Sequence, residues 1–478
     1  MQVQSMYFKR RAAQALGDEI LQANLAKFGT AGLAQLRAQA VQAYGPEAFE
    51  RLRTAGAEIR DRGLAELDTY IERFEREATR RGATVLFAES RAEACDLVLE
   101  ICRRHRIRKA IKSKSMLSEE AGLNEALDGI GVHPVETDLG EYIIQLAHEP
   151  PSHIIAPAVH KSKDEVADLF AKSHARPRKS DIGDMTREAR EALRPHFLSA
   201  DLGISGGNFL IAETGSGAVV TNEGNGRMVT TLPRVHVCIT GIEKVIPTLE
   251  DLATLLRLLT RSATGQPISN YVSVFTGPKG ADDLDGPEHM YFILVDGGRT
   301  NLVGGDMEAM LRCIRCGACM NHCPVYKTVG GHAYGWVYPG PMGAVLTPAY
   351  VGLENALDLP HAATLCNQCG VVCPVRIPLP ELLRKLREQQ VERGLRPRTE
   401  MLGIRVWSWV AQRPRLYAFA ARWAARTLWL LGGRAGRIRR LPLAGAGWTI
   451  GRDFPAPQGK TFRDLYAKAK RADRRAAG

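Results

Sequence analysis

Apolar residues in the first 80 positions recur at the three- and four-residue spacing of a helix face. In GLAELDTYIERFEREATRRG, Leu64, Leu67, Tyr70, Ile71 and Phe74 form one stripe with charged residues between them. The pattern predicts amino-terminal helices over residues 1–82, closed by Gly82. Strand-like and helical stretches then alternate as ATVLFAES, RAEACDLVLEICRRH, RKAIKSKS, LSEEAGLNEALDGIG and VHPVETD. Such alternation predicts βα units and a mainly parallel sheet. Further strand-like runs, FLIAET, GAVVTN, VHVCITG, NYVSVFTG and HMYFILVDGG, extend this α/β domain over residues 83–302. Cys95 and Cys102 fall seven apart on one predicted helix and Cys238 in an apolar strand, so all three read as buried thiols.

A third segment, residues 303–400, opens with a short helix at DMEAMLR and closes with the helix PELLRKLREQQVERG. Between them HAYGWVYPGPMG shows no regular period, and only anchorage at both ends would hold so long a stretch in place. Residues 401–478 are helical and basic, with Trp407, Trp409, Trp423 and Trp429 among arginines. Arginine and proline interrupt this region too often for a membrane span. It reads as a helix packed on a partner or on its own core in preference to an interfacial helix, followed by a solvated tail.

With 478 residues, 45% hydrophobic and 24% charged, the chain is of globular composition and long enough for two to four domains. Its net charge of +12 is uneven. Residues 376–478 carry 24 Lys or Arg against 7 Asp or Glu, which leaves 40 against 45 of the totals 64 and 52 for residues 1–375. A basic appendage on a slightly acidic body suits an acidic partner or an anionic membrane face, and no nucleic acid is expected. The start, MQVQSMYFKRRAAQALGDEI, has no apolar stretch behind its basic residues, so neither a signal peptide nor an anchor is expected. The location that follows is cytoplasmic, with the tail allowing a peripheral position at the inner membrane face.

The cysteines change this picture most. Seven of the ten lie within 61 residues, as Cys313-x2-Cys316-x2-Cys319-x3-Cys323-Pro324 and Cys366-x2-Cys369-x3-Cys373-Pro374. The first run follows the bacterial ferredoxin pattern, in which three thiolates hold one [4Fe-4S] cubane and the fourth serves the other cluster. Gly317 and Ala318 leave room for close approach, and each proline fixes φ and suits the first turn of an outgoing helix. In the second run Ala363 stands where a first cysteine would be. By the crossed pattern, Cys313, Cys316, Cys319 and Cys373 hold one cluster. Cys323, Cys366 and Cys369 hold the other, whose open corner takes water, another side chain or a partner's group, or is lost to leave [3Fe-4S]; an empty second site is the remaining alternative. A zinc ribbon would leave three cysteines over, and a disulfide framework suits neither the odd count nor the chain length.

Other candidates are weaker. Gly215 and Gly217 lie between two strand-like runs and read as a hairpin, not a nucleotide loop. Glu213, Asn222, Glu223, Asn225 and Arg227 gather near that hairpin, and Lys112, Ser113, Lys114 and Ser115 follow a strand, where open α/β sheets bind ligands. They are as consistent with a small-carboxylate site as with local ion pairs and turn caps. His153, His160 and His289 read as ordinary polar residues, and His322, beside Cys323, as a tuner of the second cluster through a hydrogen bond. No catalytic residue is assigned.

Three long strings carry a family resemblance: SKSMLSEEAGLNEALDGIGVHPVETDLGEYIIQLAHEPPSHIIAPAVHKSKDEVADLF, ISGGNFLIAETGSGAVVTNEGNGRMVTTLPRVHVCITGIEKVIPTLEDL and DGPEHMYFILVDGGRTNLV. They resemble the bacterial lactate utilization protein B family, the iron–sulfur subunit of an L-lactate oxidation complex. The resemblance implies a sugar-isomerase/CoA-transferase-like α/β fold with a ferredoxin-type helical domain and two [4Fe-4S] clusters on the two cysteine sets above. It further implies two partner subunits, an electron acceptor, and a role as a non-autonomous redox subunit oxidising L-lactate to pyruvate. Two other readings stand beside it: an iron–sulfur adaptor whose basic tail meets nucleic acid or an acidic partner, and a standalone acyl- or CoA-handling enzyme.

Overall fold

The computed structural model describes residues 2–221, 223–269 and 271–476, so Asn222, one of the residues singled out near the hairpin, lies outside the described residues. The chain divides into two compact units, Met1–Arg393 and Gly394–Gly478.

In the larger unit, six parallel strands form one sheet: β1 (Thr84–Ala88), β2 (Ala110–Lys112), β3 (Pro134–Glu136), β4 (Leu202–Ser205), β7 (Val235–Gly241) and β10 (His289–Val295). Their order is β1-β10-β7-β4-β2-β3. Helices cover both faces, so the central strands are apolar without alternation: every residue of β7 is buried, and in β10 only His289 is exposed. Val85 pairs with Phe292, Phe292 with Cys238, and Leu202 with Val235, which fixes the register.

A second sheet holds β5 (Phe209–Ile211), β6 (Ser216–Thr221), β8 (Val245–Ile246) and β9 (Tyr271–Phe275), in the order β8-β5-β6-β9. β5 and β6 form the hairpin that Gly215 and Gly217 predict. The helix Leu67–Arg80 lays its apolar stripe over the join between the sheets, with Phe74 edge-on to Phe292 at 5.0 Å between centroids. On the far face the helix Arg91–Arg104 buries Cys95 and Cys102, and Cys238 is enclosed within β7.

The cysteine region is built into this unit by the amino-terminal helices. Ser5 Oγ donates to Tyr334 O at 2.9 Å, Arg37 Nη2 to Val372 O at 3.0 Å, and Arg53 Nε and Nη2 to Cys373 O at 3.0 and 2.7 Å. The patternless crossing stretch proves to lead into a helix, Gly340–Val351. All of its residues but Ala349 and Val351 are buried, so it is apolar on nearly every side and carries no 3.6-residue signal for a sequence reading to find. The helix PELLRKLREQQVE forms as expected over Leu379–Glu392.

The smaller unit contains the helices Arg398–Ala411, Pro414–Gly432 and Phe462–Ala476 and a two-strand ladder. Its tryptophans do not pack into a core of their own, the half of the expectation that is overturned: Trp407, Trp409, Trp423 and Trp429 are 65%, 54%, 56% and 52% exposed. The unit, residues 394–478, carries 19 Lys or Arg against 4 Asp or Glu, and its helices leave these tryptophans at the surface. Among the described residues no helix is long and apolar enough to cross a membrane.

Candidate iron–sulfur centre

The two cysteine runs fold as repeats of one local design. Arg315 and Gly317 flank Cys316 in the left-handed region, at φ 57° and 73°; Leu365 and Asn367 flank Cys366 in the same way, at 54° and 66°. Left-handed backbone costs a non-glycine residue roughly 1–2 kcal/mol. The same conformation recurs on both sides of both cysteines, so the two loops share one curled shape, each beside a hollow. Each loop then enters a short helix, Ala318–Asn321 and Gln368–Val371. At Gly317 a Cβ would also meet the Ile155 side chain at 3.0 Å, so packing against Ile155 favours a glycine there.

The exits differ. Pro324 opens the helix Pro324–Val329 directly after Cys323, whereas Pro374 lies in a turn and the next helix begins only at Leu379. The expectation of an immediate helix after both prolines therefore fails at the second. There Ile377 N donates back to Cys373 Sγ at 3.3 Å, and Arg376 is left-handed at φ 51°, so the chain curls around the sulfur before continuing.

Two hollows separate the seven cysteines. Cys313, Cys316, Cys319 and Cys373 line one, of about 370 Å³ empty volume; Cys323, Cys366 and Cys369 line the other, of about 340 Å³, with Ala363 and His322. Cys373 thus joins the first run and Cys323 the second. Backbone N–H groups donate to the sulfurs: Ala318 to Cys316, Tyr326 and Val325 to Cys323, Gln368 to Cys366, and Val375 to Cys373. Such N–H···S contacts are a lever on cluster potential.

Burial, with repulsion between neighbouring sulfurs, pushes the thiols of Cys316 and Cys319 up, Cys369 up to about 12 and Cys373 up to about 11. Without a compensating cation these thiols stay protonated, and a bound metal centre would supply that charge and release the protons. Cys366, more exposed, is shifted down by its backbone donors. A tetrahedral zinc would draw four sulfurs to within about 3.8 Å of one another, given Zn–S bonds of about 2.3 Å. Among the described residues no three Cys, His, Asp or Glu side chains converge on a single-ion site. Sulfur donors spread round a hollow and fed by N–H groups fit a multi-iron cluster instead.

Buried cations surround the first hollow. Lys244 Nζ donates to Cys313 O at 2.8 Å and Arg60 Nη2 to Leu311 O at 3.0 Å, beside the Arg37 and Arg53 contacts. Arg315 lies over the Tyr338 ring at 4.7 Å and 3.8 Å from Glu243. Glu243 in turn meets Arg299 at 2.9 Å, and these cations hold its carboxyl down at about 2. Burial lowers Arg60 to about 10. Apart from Arg315, which stands between Cys313 and Cys316, none of these residues shares a local motif with the cysteines, and sequence reading missed them all. A buried charge far from its partners in the chain leaves no period or spacing to detect.

The weaker candidates separate. Ser113, Lys114, Ser115 and Asn225 line a cleft at the carboxyl ends of the strands, but Lys112 is buried in ion pairs with Glu119 and Glu136 at 2.5 and 2.7 Å. Glu213 accepts from Leu249 N, Glu223 from Leu139 N, and Arg227 donates to Ser273 Oγ. His153 meets Asn321 at 2.9 Å, His160 meets Glu149 at 2.7 Å, and His289 packs against His105 with the rings tilted by 41° and their centroids 4.4 Å apart. His322 lines the second hollow while its Nδ1 is bonded to Ala318 O at 2.8 Å.

Comparison with known proteins matches three segments of the chain. Residues 71–295 match the LUD domain, residues 309–377 a 4Fe-4S dicluster domain, and residues 381–471 the carboxy-terminal domain of lactate utilisation protein B. The lactate utilization protein B of Bacillus licheniformis is 40% identical over 468 residues, covering 98% of this chain and 97% of its own. That of Bacillus subtilis is 40% identical over 476 residues, covering 99% and 98%. That of Shouchella clausii is 44% identical over 419 residues, covering 87% and 88%. Among solved structures, a DUF162 family protein from Deinococcus radiodurans aligns with 48% of this chain and 98% of its own at 14% identity and a TM-score of 0.28, and nothing rests on that likeness. With relatives at this identity along nearly its whole length, and an iron–sulfur domain where its cysteines converge, the chain belongs to the lactate utilization protein B family.

Proposed function

We propose that this chain is the electron-transfer subunit of a multi-subunit system that oxidises L-lactate to pyruvate and supports growth on lactate. The substrate follows from the relatives' name, and the separation of seven cysteines into sets of four and three carries the redox role. Cys313, Cys316, Cys319 and Cys373 hold one [4Fe-4S] cluster. Cys323, Cys366 and Cys369 hold a second, with a non-cysteine ligand at the corner toward Ala363. Bound, the clusters supply one-electron storage. The chain's own residues enclose the sulfurs, donate N–H groups to them, and place the buried cations Lys244, Arg37, Arg53 and Arg60 around the first. The partners are two other subunits and an electron acceptor.

The domain division that suits this role is 1–82, 83–302, 303–400 and 401–478. The last segment, basic and with exposed tryptophans, is the surface for an acidic partner or the inner membrane face, giving a cytoplasmic and peripheral location.

The crossed assignment is tested by two single variants of anaerobically purified protein. Cys373→Ser should abolish the electron paramagnetic resonance signal of the first cluster, although Cys373 lies in the second run; Cys369→Ser should abolish that of the second. Iron should fall in each from about eight to about four per chain. Loss of the same signal from both variants refutes the crossing, and absence of labile sulfide from the parent protein refutes the electron-carrying role. Unimpaired growth on L-lactate after gene deletion removes the lactate link.

A further inference from the structure

Beyond the carboxyl ends of the parallel strands lies a cleft of about 1370 Å³ empty volume, mouth included. The segments after β2, β3, β4, β7 and β10 all reach it, the place where open parallel sheets bind ligands. About 220 Å³ of this volume is accessible space, where one water takes roughly 10–15 Å³ by the same measure, so it holds more than a three-carbon acid of six heavy atoms.

Its charge is unbalanced in favour of cations. Lys114, Lys244, Arg299 and Arg315 line it against Asp138 and Glu243. Arg299 is occupied by Glu120 and Glu243, and Asp138 caps a helix by accepting from Gly140 N and Glu141 N. Lys114 Nζ is enclosed, lacks a hydrogen-bond partner, and stands 3.5 Å from Glu141 Oε1. Asn225 Oδ1, on the same cleft, is likewise enclosed without a donor. Buried polar atoms left in this state are costly unless a ligand completes them.

Part of its wall is apolar, formed by Ile154, Ile239, Leu259 and Ile314. Ile154, Ile314 and Arg315 also line the hollow of Cys313, Cys316, Cys319 and Cys373. One layer of side chains therefore separates the cleft from the first cysteine set.

We propose that this cleft binds a nucleotide-sized organic anion. Its phosphate or carboxylate oxygens meet Lys114, and its body lies along the apolar wall toward Ile314 and Arg315. Proximity to a cluster rests on the ligand assignment above, and binding in the cleft does not. The anionic head gives Lys114 the hydrogen-bond acceptor it lacks beside its ion pair with Glu141, and an apolar or aromatic body explains the wall that a small acid would leave wet.

The test uses full-length, anaerobically purified protein with iron and sulfide measured on the same sample. Flavin mononucleotide and ADP are titrated as nucleotides, and L-lactate and pyruvate as small carboxylates, by calorimetry and by flavin fluorescence. At least one nucleotide should bind at micromolar concentration. Lys114→Met should weaken it by about tenfold to a hundredfold, the equivalent of one charge-assisted hydrogen bond, and Lys114→Arg should restore part of the loss. Iron content should be unchanged in both variants, which separates a binding defect from misfolding. The bound nucleotide should also shift the resonance signal that Cys373→Ser removes. Absence of nucleotide binding, binding indifferent to Lys114→Met, or binding of only the small carboxylates overturns the proposal. If a nucleotide binds to protein devoid of iron and sulfide, the cluster reading fails and the cleft stands.

Discussion

Replacing Arg299 by Met should destabilise the larger unit by an amount that its surroundings set. The side chain is 2% exposed. Its guanidinium donates to Glu120 Oε1 and Oε2 at 3.3 and 2.8 Å and to Asp296 O at 2.9 Å, and its Nε lies 2.9 Å from Glu243 Oε2. It also lies over the Tyr350 ring at 4.8 Å. Glu243 keeps Lys244 and Arg315, both at 3.8 Å. Glu120, its side chain fully enclosed, keeps only the Tyr338 hydroxyl among the contacts described here.

Removing one partner of a buried ion pair costs about 3–5 kcal/mol, chiefly because the other charge stays buried. With an unfolding entropy of about 2.1 cal/mol/K per residue, a unit spanning Met1–Arg393 loses about 0.8 kcal/mol per degree at its midpoint. The expected fall in midpoint is therefore about 4–6 °C. Scanning calorimetry under anaerobic conditions, at two scan rates, measures it. Adding Glu120→Gln should recover at least half of the loss, since the amide carries no charge and still accepts from Tyr338. A fall below about 1 °C, or no recovery in the double variant, would refute buried charge as the source.

Two further outcomes follow from the same kind of accounting. Burial holds His236 down at about 3 and His332 down at about 4, with Ser205 and Pro150 O as their hydrogen-bond partners. Both lie below the unfolded value near 6.5, so the unfolded chain takes up protons first as pH falls. Their contribution is whole above about pH 6.5 and shrinks below it, by about 2 kcal/mol each at pH 5. Urea midpoints at pH 7 and 5 should show this, and His236→Gln should reduce the slope. At Gly331, a Cβ would stand 1.7 Å from Ser152 O, a backbone atom that cannot turn aside. Gly331→Ala should therefore separate the cysteine region from the loop carrying Ser152, with a midpoint loss of several degrees and faster oxidative loss of iron. An unchanged midpoint and iron half-life would count against that packing.

Much of the fold was legible because its signals are local. The stripe of Leu67, Tyr70, Ile71 and Phe74 lies where the helix Leu67–Arg80 meets the sheets, and VHVCITG and HMYFILV are apolar runs because the strands they form are covered on both faces. The helix Gly340–Val351 stayed hidden for the opposite reason, being enclosed on nearly all sides with Pro341 and Pro348 inside it. Pro374 predicted a helix that Leu379 begins instead, because a turn around Cys373 Sγ comes first.

The sequence by itself determined the thiol inventory, seven at ferredoxin spacing with an alanine at position 363, whereas the left-handed turns at Arg315 and Gly317 and again at Leu365 and Asn367 came from the structure. Spacing within a short loop limits what its sulfurs can reach, so that chemistry survives without the fold. Only the tertiary structure decided which charges surround those sulfurs and what lies beside them. Lys244, Arg37, Arg53 and Arg60 come from segments 69 to 335 residues away from the groups they touch, and the cleft draws on the ends of five strands. Coulombic and packing interactions act through space at a few ångströms, and a linear pattern cannot record which distant residues the chain brings within that range.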